Sequence, residues 1–289
     1  MRLCLNTKRR AEAVTKTQSL LKEENKEISI RKICKVLDVP RSTFYYKTTV
    51  SSEPIRDLEV EAEIRKIIDE EPAAGLRMIT AMVRNRLNRR INKKKVHRII
   101  KLNNWQVNRK RKGQRPRVKG WSSRANRPNE RWAIDMTHIY TGTGLCHLTA
   151  VIDCCDRSIV GWRLSGSSKA DIATAALEDA LLLNGISKED ELILRSDNGL
   201  IFGAKNFTHI VKRFNVQQEY ITPYTPEQNG MIERFFRTLK EHCVWLHRFK
   251  DQDDAFQKIA QWIHKYNMDR PHSALNYESP MNYRMTLVA

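Results

Sequence analysis

Hydrophobic and polar residues follow different patterns on either side of about residue 129. In the first part, apolar residues recur every three or four positions, which is the spacing of amphipathic helices. In the second part, three short runs of strand-like alternation come first, and helical stretches then alternate with short apolar runs. The pattern predicts an all-α first part and an α/β second part.

The first part contains two predicted helical modules. Residues 27–47, within a module at 1–50, are typical of a helix-turn-helix in which Ser29 caps the first helix and Asp38-Val39-Pro40 ends it. Phe44 is expected to pack inward. An ordinary helical hairpin is the alternative interpretation, because this motif is short. The second module is predicted at 56–108, with helices at 57–69 and 76–87 and a basic helix that Asn92 caps.

The second part, residues 129–289, predicts a mixed five-stranded sheet with helices on both faces. The strands are expected at 132–140, 147–153, 159–165, 192–194 and 216–221, and the helices at 170–183, 206–214, 231–246 and 254–267.

Charge is placed unevenly along the chain, whose formal net charge is +19. Residues 1–128 hold 34 basic and 13 acidic side chains, whereas residues 129–289 hold 18 and 20. The 58 residues between Glu71 and Glu130 contain 19 Lys and Arg and no acid. Such a block indicates a polyanionic partner, since neutralising phosphates releases their counterions. A disordered solubilising tail does not fit, because apolar residues recur in the block at helical spacing.

Nucleic acid is therefore the expected partner. The predicted contacts in the helical modules are the polar start of the second helix of the first module and the basic face of the Asn92-capped helix: Arg41, Ser42, Thr43, Lys93, Lys94 and Arg98. Residues 109–128 are expected to be a basic linker that orders on a phosphate backbone, with contacts from Arg109, Lys110, Arg111 and Lys112.

The remaining composition narrows the class of protein. No apolar run approaches the ~20 residues of a membrane span, and the N-terminal residues do not form a secretory signal. The six cysteines have no spaced pairs and are expected to be reduced thiols. The chain is expected in the cytoplasm.

Three carboxylates are the candidate chemistry. Asp135 lies inside the first predicted strand, Asp197 follows the apolar run 192–194, and Glu233 begins a helical stretch after 35 intervening residues. In the predicted sheet these acids can meet at one end of neighbouring strands. Carboxylates are the ligands of Mg²⁺, and a pair of such ions about 4 Å apart can activate both oxygens of a displacement at phosphorus. Taken singly, each acid could instead be a surface charge or a turn residue.

These three acids and their surroundings resemble the DDE transposases of the retroviral-integrase superfamily. Trp132-x-x-Asp135-Met-Thr, Ser196-Asp197-Asn-Gly and Glu233 carry the resemblance, which is closest to the second-frame proteins of bacterial insertion sequences with two overlapping frames. Lys240, seven positions after Glu233, and the segment from Tyr266 to Leu275 also fit that group. Two departures are Arg195, where the family often has His, and Ala73-Ala-Gly-Leu-Arg77 in place of a Tyr-Gly-Tyr-Arg stretch.

The resemblance implies an RNase H-like catalytic core and Mg²⁺-dependent cleavage and strand transfer at the ends of an insertion sequence. Asp135, Asp197 and Glu233 would be both the catalytic residues and the ligands of two Mg²⁺ ions, with Mn²⁺ able to substitute. Four further side chains would contact DNA beside them: Asn198, Asn229, Arg237 and Lys240. The expected partners are terminal-repeat and target DNA, a second copy of the chain and, through a frameshift, an upstream-frame protein. The chain would work at the bacterial nucleoid.

Other interpretations remain open at this stage. The chain could be a DNA-binding regulator without catalysis, or a metal-dependent nuclease that cuts without joining. The sequence His242-Cys243 with His247 could suggest a metal site, but a surface histidine beside a packed cysteine is the preferred interpretation.

Overall fold

The computed structural model describes residues 2–24, 27–45, 57–107, 124–222 and 225–288. The chain divides into two compact units, Met1–Arg56 and Asp57–Ala289. No helix in the described ranges is both long and apolar enough to cross a membrane.

The first unit contains three helices, α1 (Arg2–Glu23), α2 (Ile30–Val36) and α3 (Arg41–Tyr45). Its small core is formed by Val14, Ile33, Cys34 and Val39, with Phe44 packed against it. The helices α2 and α3 occupy the positions predicted for the helix-turn-helix, whereas α1 was not predicted. Ser29 holds the N-cap position of α2 but its side chain makes no capping hydrogen bond, so the expected cap is wrong in this respect.

The second unit begins with three helices that share one apolar core, α4 (Leu58–Glu70), α5 (Leu76–Leu87) and α6 (Lys93–Leu102). The predicted cap of α6 is confirmed, since the Asn92 side chain accepts a hydrogen bond of 2.9 Å from the Lys94 N–H. Helix α6 buries Val96, Ile99 and Ile100 and leaves its basic side exposed.

A mixed five-stranded sheet follows, as predicted. The strands are β1 (Arg131–Thr141), β2 (Gly144–Asp153), β3 (Ile159–Ser165), β4 (Ile193–Ser196) and β5 (Gln217–Tyr220). Their order is β3-β2-β1-β4-β5, with antiparallel pairing among the first three in sequence and parallel pairing of β4 to β1 and to β5.

Helices cover both faces of the sheet. One apolar core includes residues of α9 (Gly230–His242) and α10 (Gln252–Met268), and the other includes residues of α7 (Ala170–Leu183) and α8 (Lys205–Arg213). The expected continuation of α9 to residue 246 is wrong: α9 ends at His242, and a 3₁₀ turn follows at Val244–Leu246. A last helix, α11 (Pro280–Val288), was not predicted.

A buried ionic cluster joins the α4–α6 helices to the sheet's helices. Glu71, directly after α4, accepts hydrogen bonds from Arg270 at 2.8 Å and from the Nδ1 of His242 at 2.7 Å. His242 is only 7% exposed, so the predicted surface histidine is wrong. Burial opposes the charged form of Glu71, but His242 and Arg270 outweigh it and hold the pKa of Glu71 at about 2.

We expect Arg270→Met to lower the free energy of unfolding by about 3–5 kcal/mol, because it removes the guanidinium partner of a buried carboxylate. Arg213→Met is the control, since Arg213 pairs with Glu178 at the surface, where such a pair contributes less than about 1 kcal/mol. Urea unfolding of both variants measures the difference. Equal losses would show that the Glu71 cluster does not stabilise the fold in this way.

Candidate active site

Two of the three candidate acids are brought together by the parallel pairing of β1 and β4. Ala133 of β1 pairs with Arg195 of β4. Asp135 and Asp197 each lie two residues further along, Asp135 within β1 and Asp197 just after the end of β4. Neighbouring strands are about 4.8 Å apart, and side chains two residues apart on a strand lie on the same face of the sheet. The two carboxylates therefore belong to neighbouring positions near the C-terminal end of β4.

The third acid comes from a helix. Glu233 lies in the first turn of α9, which packs against β1 and β2. Burial is the largest cause that raises the pKa of Asp135 to about 7; the charges of Asp197 and Glu233 act in the same direction, and a 2.7 Å hydrogen bond from the Met136 N–H opposes them. Asp197, which is half-buried, and Glu233, which is exposed, therefore each lie within electrostatic reach of Asp135.

The three carboxylates are not arranged as a complete metal site. Among the described residues, no group of three or more His, Cys, Asp and Glu side chains is placed so that it could hold a metal ion. One oxygen of Asp197 accepts a hydrogen bond of 2.8 Å from the Gly199 N–H, which is the turn geometry considered as its alternative role. The donor chemistry nevertheless fits Mg²⁺, which is usually bound by one or two carboxylates together with substrate phosphates.

Buried hydrogen bonds fix the backbone around these acids. Arg195, only 6% exposed, donates to the Glu219 carboxylate of β5 and to the Gln228 carbonyl. Asn229, expected to contact DNA, is instead 3% exposed, and its side-chain amide lies 3.4 Å from the Ile134 carbonyl. Its placement does not support the predicted DNA contact.

The other predicted contacts near the acids lie at the surface. Asn198 is exposed, although its amide donates to the Ile221 carbonyl at 2.8 Å. Arg237 is exposed and pairs with Glu241 at 2.9 Å, and Lys240 is half-buried.

The remaining predicted contacts lie on the N-terminal helices or outside the described residues. Lys93, Lys94 and Arg98 are exposed on α6. In the other unit, Arg41 and Ser42 are exposed on α3 and Thr43 is half-buried. The predicted contacts that fall outside the described residues are Arg109, Lys110, Arg111 and Lys112.

A second pair of acids at the sheet has a structural environment. Asp153 and Asp156 are fully buried, and both pair with Arg284 of α11, at 3.1 and 2.6 Å. Burial and the Asp156 charge raise the pKa of Asp153 to about 6. The Asp153 carboxylate also accepts from the Trp132 indole at 3.2 Å. Their pairing with Arg284 was not predicted, because nothing near Asp153 in sequence indicates that partner.

The chain is similar to known integrase cores and transposases. Two family models, both described as integrase core domain, match residues 125–226 and 214–280, and a model described as an HTH-like domain matches residues 54–113. The putative transposase InsK for insertion sequence element IS150 of Escherichia coli (strain K12) is 26% identical over 276 residues, covering 92% of this chain and 96% of that protein.

Two further similarities extend this result. The transposase for insertion sequence element IS904 of Lactococcus lactis subsp. lactis (strain IL1403) is 30% identical over 173 residues, covering 58% of this chain and 66% of that protein. A chain of the simian T-cell lymphotropic virus intasome, solved in complex with PP2A regulatory subunit B56 gamma, is 17% identical with a TM-score of 0.50, covering 77% of this chain and 74% of that one. The structural likeness confirms the RNase H-like fold of the core.

The raised pKa of Asp135 has a consequence for stability. Its folded value of about 7 lies above the ordinary value of 3.8, so ionisation destabilises the fold progressively as pH rises from about 4 to about 7. We therefore expect Asp135→Asn to raise the free energy of unfolding by about 1–2 kcal/mol at pH 8 and by less at pH 5. Urea unfolding at both pH values measures this, with the exposed Asp253→Asn as control. A stabilisation equal at both pH values would contradict the electrostatic explanation.

Proposed function

Because this chain belongs to the DDE transposases of insertion sequences, which carry an integrase core domain, we propose that it catalyses DNA strand transfer with Asp135, Asp197 and Glu233 as its catalytic carboxylates. The observation that supports this assignment is the placement of the acids: β1 and β4 pair in parallel with Ala133 opposite Arg195, two residues before Asp135 and Asp197, and α9, with Glu233 in its first turn, packs on β1. The charges of Asp197 and Glu233, 62 and 98 positions after Asp135 in the chain, also act to raise the pKa of Asp135.

The same carboxylates would bind divalent metal. Oxygen donors of this kind suit Mg²⁺, with Mn²⁺ as a substitute, and a pair of ions would polarise the scissile phosphate and stabilise the charge that develops on both sides of phosphorus. Ionised Asp135 is the form that binds metal, so metal affinity should fall as pH drops below about 7.

The reaction requires two displacements at phosphorus. A water molecule first attacks the phosphodiester at the end of the element, the P–O bond breaks and a 3′-OH is released. That hydroxyl then attacks a phosphodiester of the target DNA, and the target 3′-oxygen leaves. Neither step needs a covalent intermediate with the protein, since positioning and charge stabilisation supply the catalysis.

Basic side chains would hold the DNA during these steps. Arg237 and Lys240 lie four and seven residues after Glu233 and share its side of α9, where they would contact phosphates beside the carboxylates. The exposed basic side of α6, within the segment that matches the HTH-like domain, would contact the phosphates of a terminal repeat. The basic residues 109–128 would link this module to the core at 129–289.

Assembly on DNA completes the proposal. Two ends of the element must be held together for transfer, so at least two copies of the chain are expected on the DNA. Fusion to an upstream-frame protein by frameshifting would add a further DNA-binding segment.

Strand transfer with labelled terminal-repeat DNA tests the catalytic assignment. We expect Asp135→Asn, Asp197→Asn and Glu233→Gln each to lower the rate of joined product by at least about 10³-fold, because each removes a charged oxygen ligand. The control Glu178→Gln, which changes an acid paired with Arg213 at the surface, should keep the wild-type rate. Adding a chelator to the wild-type protein should abolish strand transfer. Cleavage without joined product would indicate a nuclease. Unchanged rates in all three variants would show that the carboxylates do not take part in catalysis.

Salt dependence tests the role of α6. If Lys93 and Lys94 each neutralise one phosphate, the double change to Ala should reduce the slope of log affinity against log salt by about 1.8 in magnitude. Lys188→Ala, at an exposed position of the core, is the control. Titration of terminal-repeat DNA at several salt concentrations measures the slope, and a slope equal to that of the control would exclude this face as a DNA contact.

A further inference from the structure

The helix that carries Glu233 begins directly after a short turn. Pro226–Asn229 forms a 3₁₀ turn, α9 begins at Gly230, and Glu233 lies in the first turn of that helix. The position of the Glu233 carboxylate therefore depends on how the turn is held against the sheet, because a helix's first residues inherit the path of the segment before them.

Arg195 holds this turn from strand β4. Its Nη1 donates to the Gln228 carbonyl at 2.8 Å, while Nε and Nη2 reach one oxygen of Glu219 at 2.8 and 2.6 Å. Glu219 also accepts from Arg131 at 2.5 Å, and the two arginines together hold the pKa of Glu219 below its usual value against the effect of burial. The Arg195 guanidinium is thus fixed on one side by a carboxylate and presents its other side to the turn.

Two more contacts fasten the same turn. The side-chain amide of Asn229 lies 3.4 Å from the Ile134 carbonyl, and the Gln228 side chain exchanges hydrogen bonds of 2.8 and 3.1 Å with Thr222. Ile134 directly precedes Asp135, and Arg195 stands two residues before Asp197. The turn before Glu233 is therefore tied to both strands that carry the other two acids.

We propose that Arg195 is a positioning residue that fixes the Glu233 helix relative to Asp197 by holding the Gln228 carbonyl. The inference rests on the proposed catalytic role of the three carboxylates. A guanidinium is suited to this position because its planar fork serves two acceptors in fixed directions, whereas a lysine ammonium would serve them only as a flexible point charge. Arg195 itself touches neither DNA nor metal in this role, and it acts only through Glu233.

Arg195→Met compared with Arg131→Met tests the proposal. Both changes remove one guanidinium from Glu219 and leave the other in place, so neither leaves that carboxylate without a cation. Arg195 also donates a hydrogen bond to the Gln228 carbonyl. Among the described hydrogen bonds, Arg131 donates to Glu219 and makes none to that carbonyl.

The readouts are the rate of strand transfer at saturating Mg²⁺ and the Mg²⁺ concentration for half-maximal rate. We expect Arg195→Met to raise that concentration about 10-fold or more, as loss of a partner that orients a ligand does. For Arg131→Met, the Mg²⁺ concentration for half-maximal rate should stay within about 3-fold of the wild-type value, because Arg195 still holds the turn. Arg195→Lys should give an intermediate value, and it replaces the Met variant if the latter does not fold.

A second readout does not depend on turnover. Mg²⁺ should raise the melting temperature of Arg195→Met less than that of the wild type, because weaker binding gives less stabilisation. In a Glu233→Gln background, Arg195→Met should cause no further loss of this effect, since its action passes through Glu233.

The outcomes separate this inference from the proposed function. Equal Mg²⁺ requirements in the Arg195 and Arg131 variants, or a full additional loss in the Glu233→Gln background, would overturn the positioning role while the catalytic assignment stands. Full activity of Glu233→Gln itself would overturn the catalytic assignment.

Discussion

The partial burial of the Asp135 carboxylate on the central strand β1 is the constraint on which the candidate site depends. Asp135 is part-buried beside Asp197 and Glu233, and its pKa near 7 reflects both desolvation and like charge. Side chains free to move would separate and become hydrated. The three acids are instead mounted on different rigid elements: Asp135 on β1, Asp197 just after the end of β4 and the exposed Glu233 at the start of α9. Strongly raised carboxylate pKa values cluster at functional sites, which fits the role proposed for Asp135.

The scaffold meets that constraint with buried polar contacts. Strand pairing sets the spacing of Asp135 and Asp197, while Arg195 and Asn229 fasten the turn that leads to Glu233. Both side chains are almost completely buried, so their hydrogen bonds work in a surrounding where leaving one unmade is costly. In the second unit, the ion pair between Glu71, which follows α4, and Arg270, which follows α10, joins the three N-terminal helices α4–α6 to the helices that cover the sheet.

The basic side chains and the acids of the candidate site lie in different parts of the chain. The basic residues concentrate before residue 129, and α6 presents several of them to solvent. The acids of the candidate site sit in a core that has nearly balanced charge. A polyanion would therefore be attracted mainly by the helical modules, and bound metal would offset the repulsion between its phosphates and the carboxylates.

The sequence by itself determined the elements whose signals are local. The helix at 170–183 and the strand at 159–165 have the predicted bounds, because their periodicity and flanking turn residues are continuous in the chain. The mixed sheet and the three candidate acids were likewise visible, the acids through the motifs around them. Tertiary structure alone decided what depends on distant partners. His242 is buried because Glu71 and Arg270 reach it across 171 and 28 residues, and Asn229 faces Ile134, 95 residues away, rather than solvent. Such pairings leave no periodic trace in sequence, since only folding brings their members together.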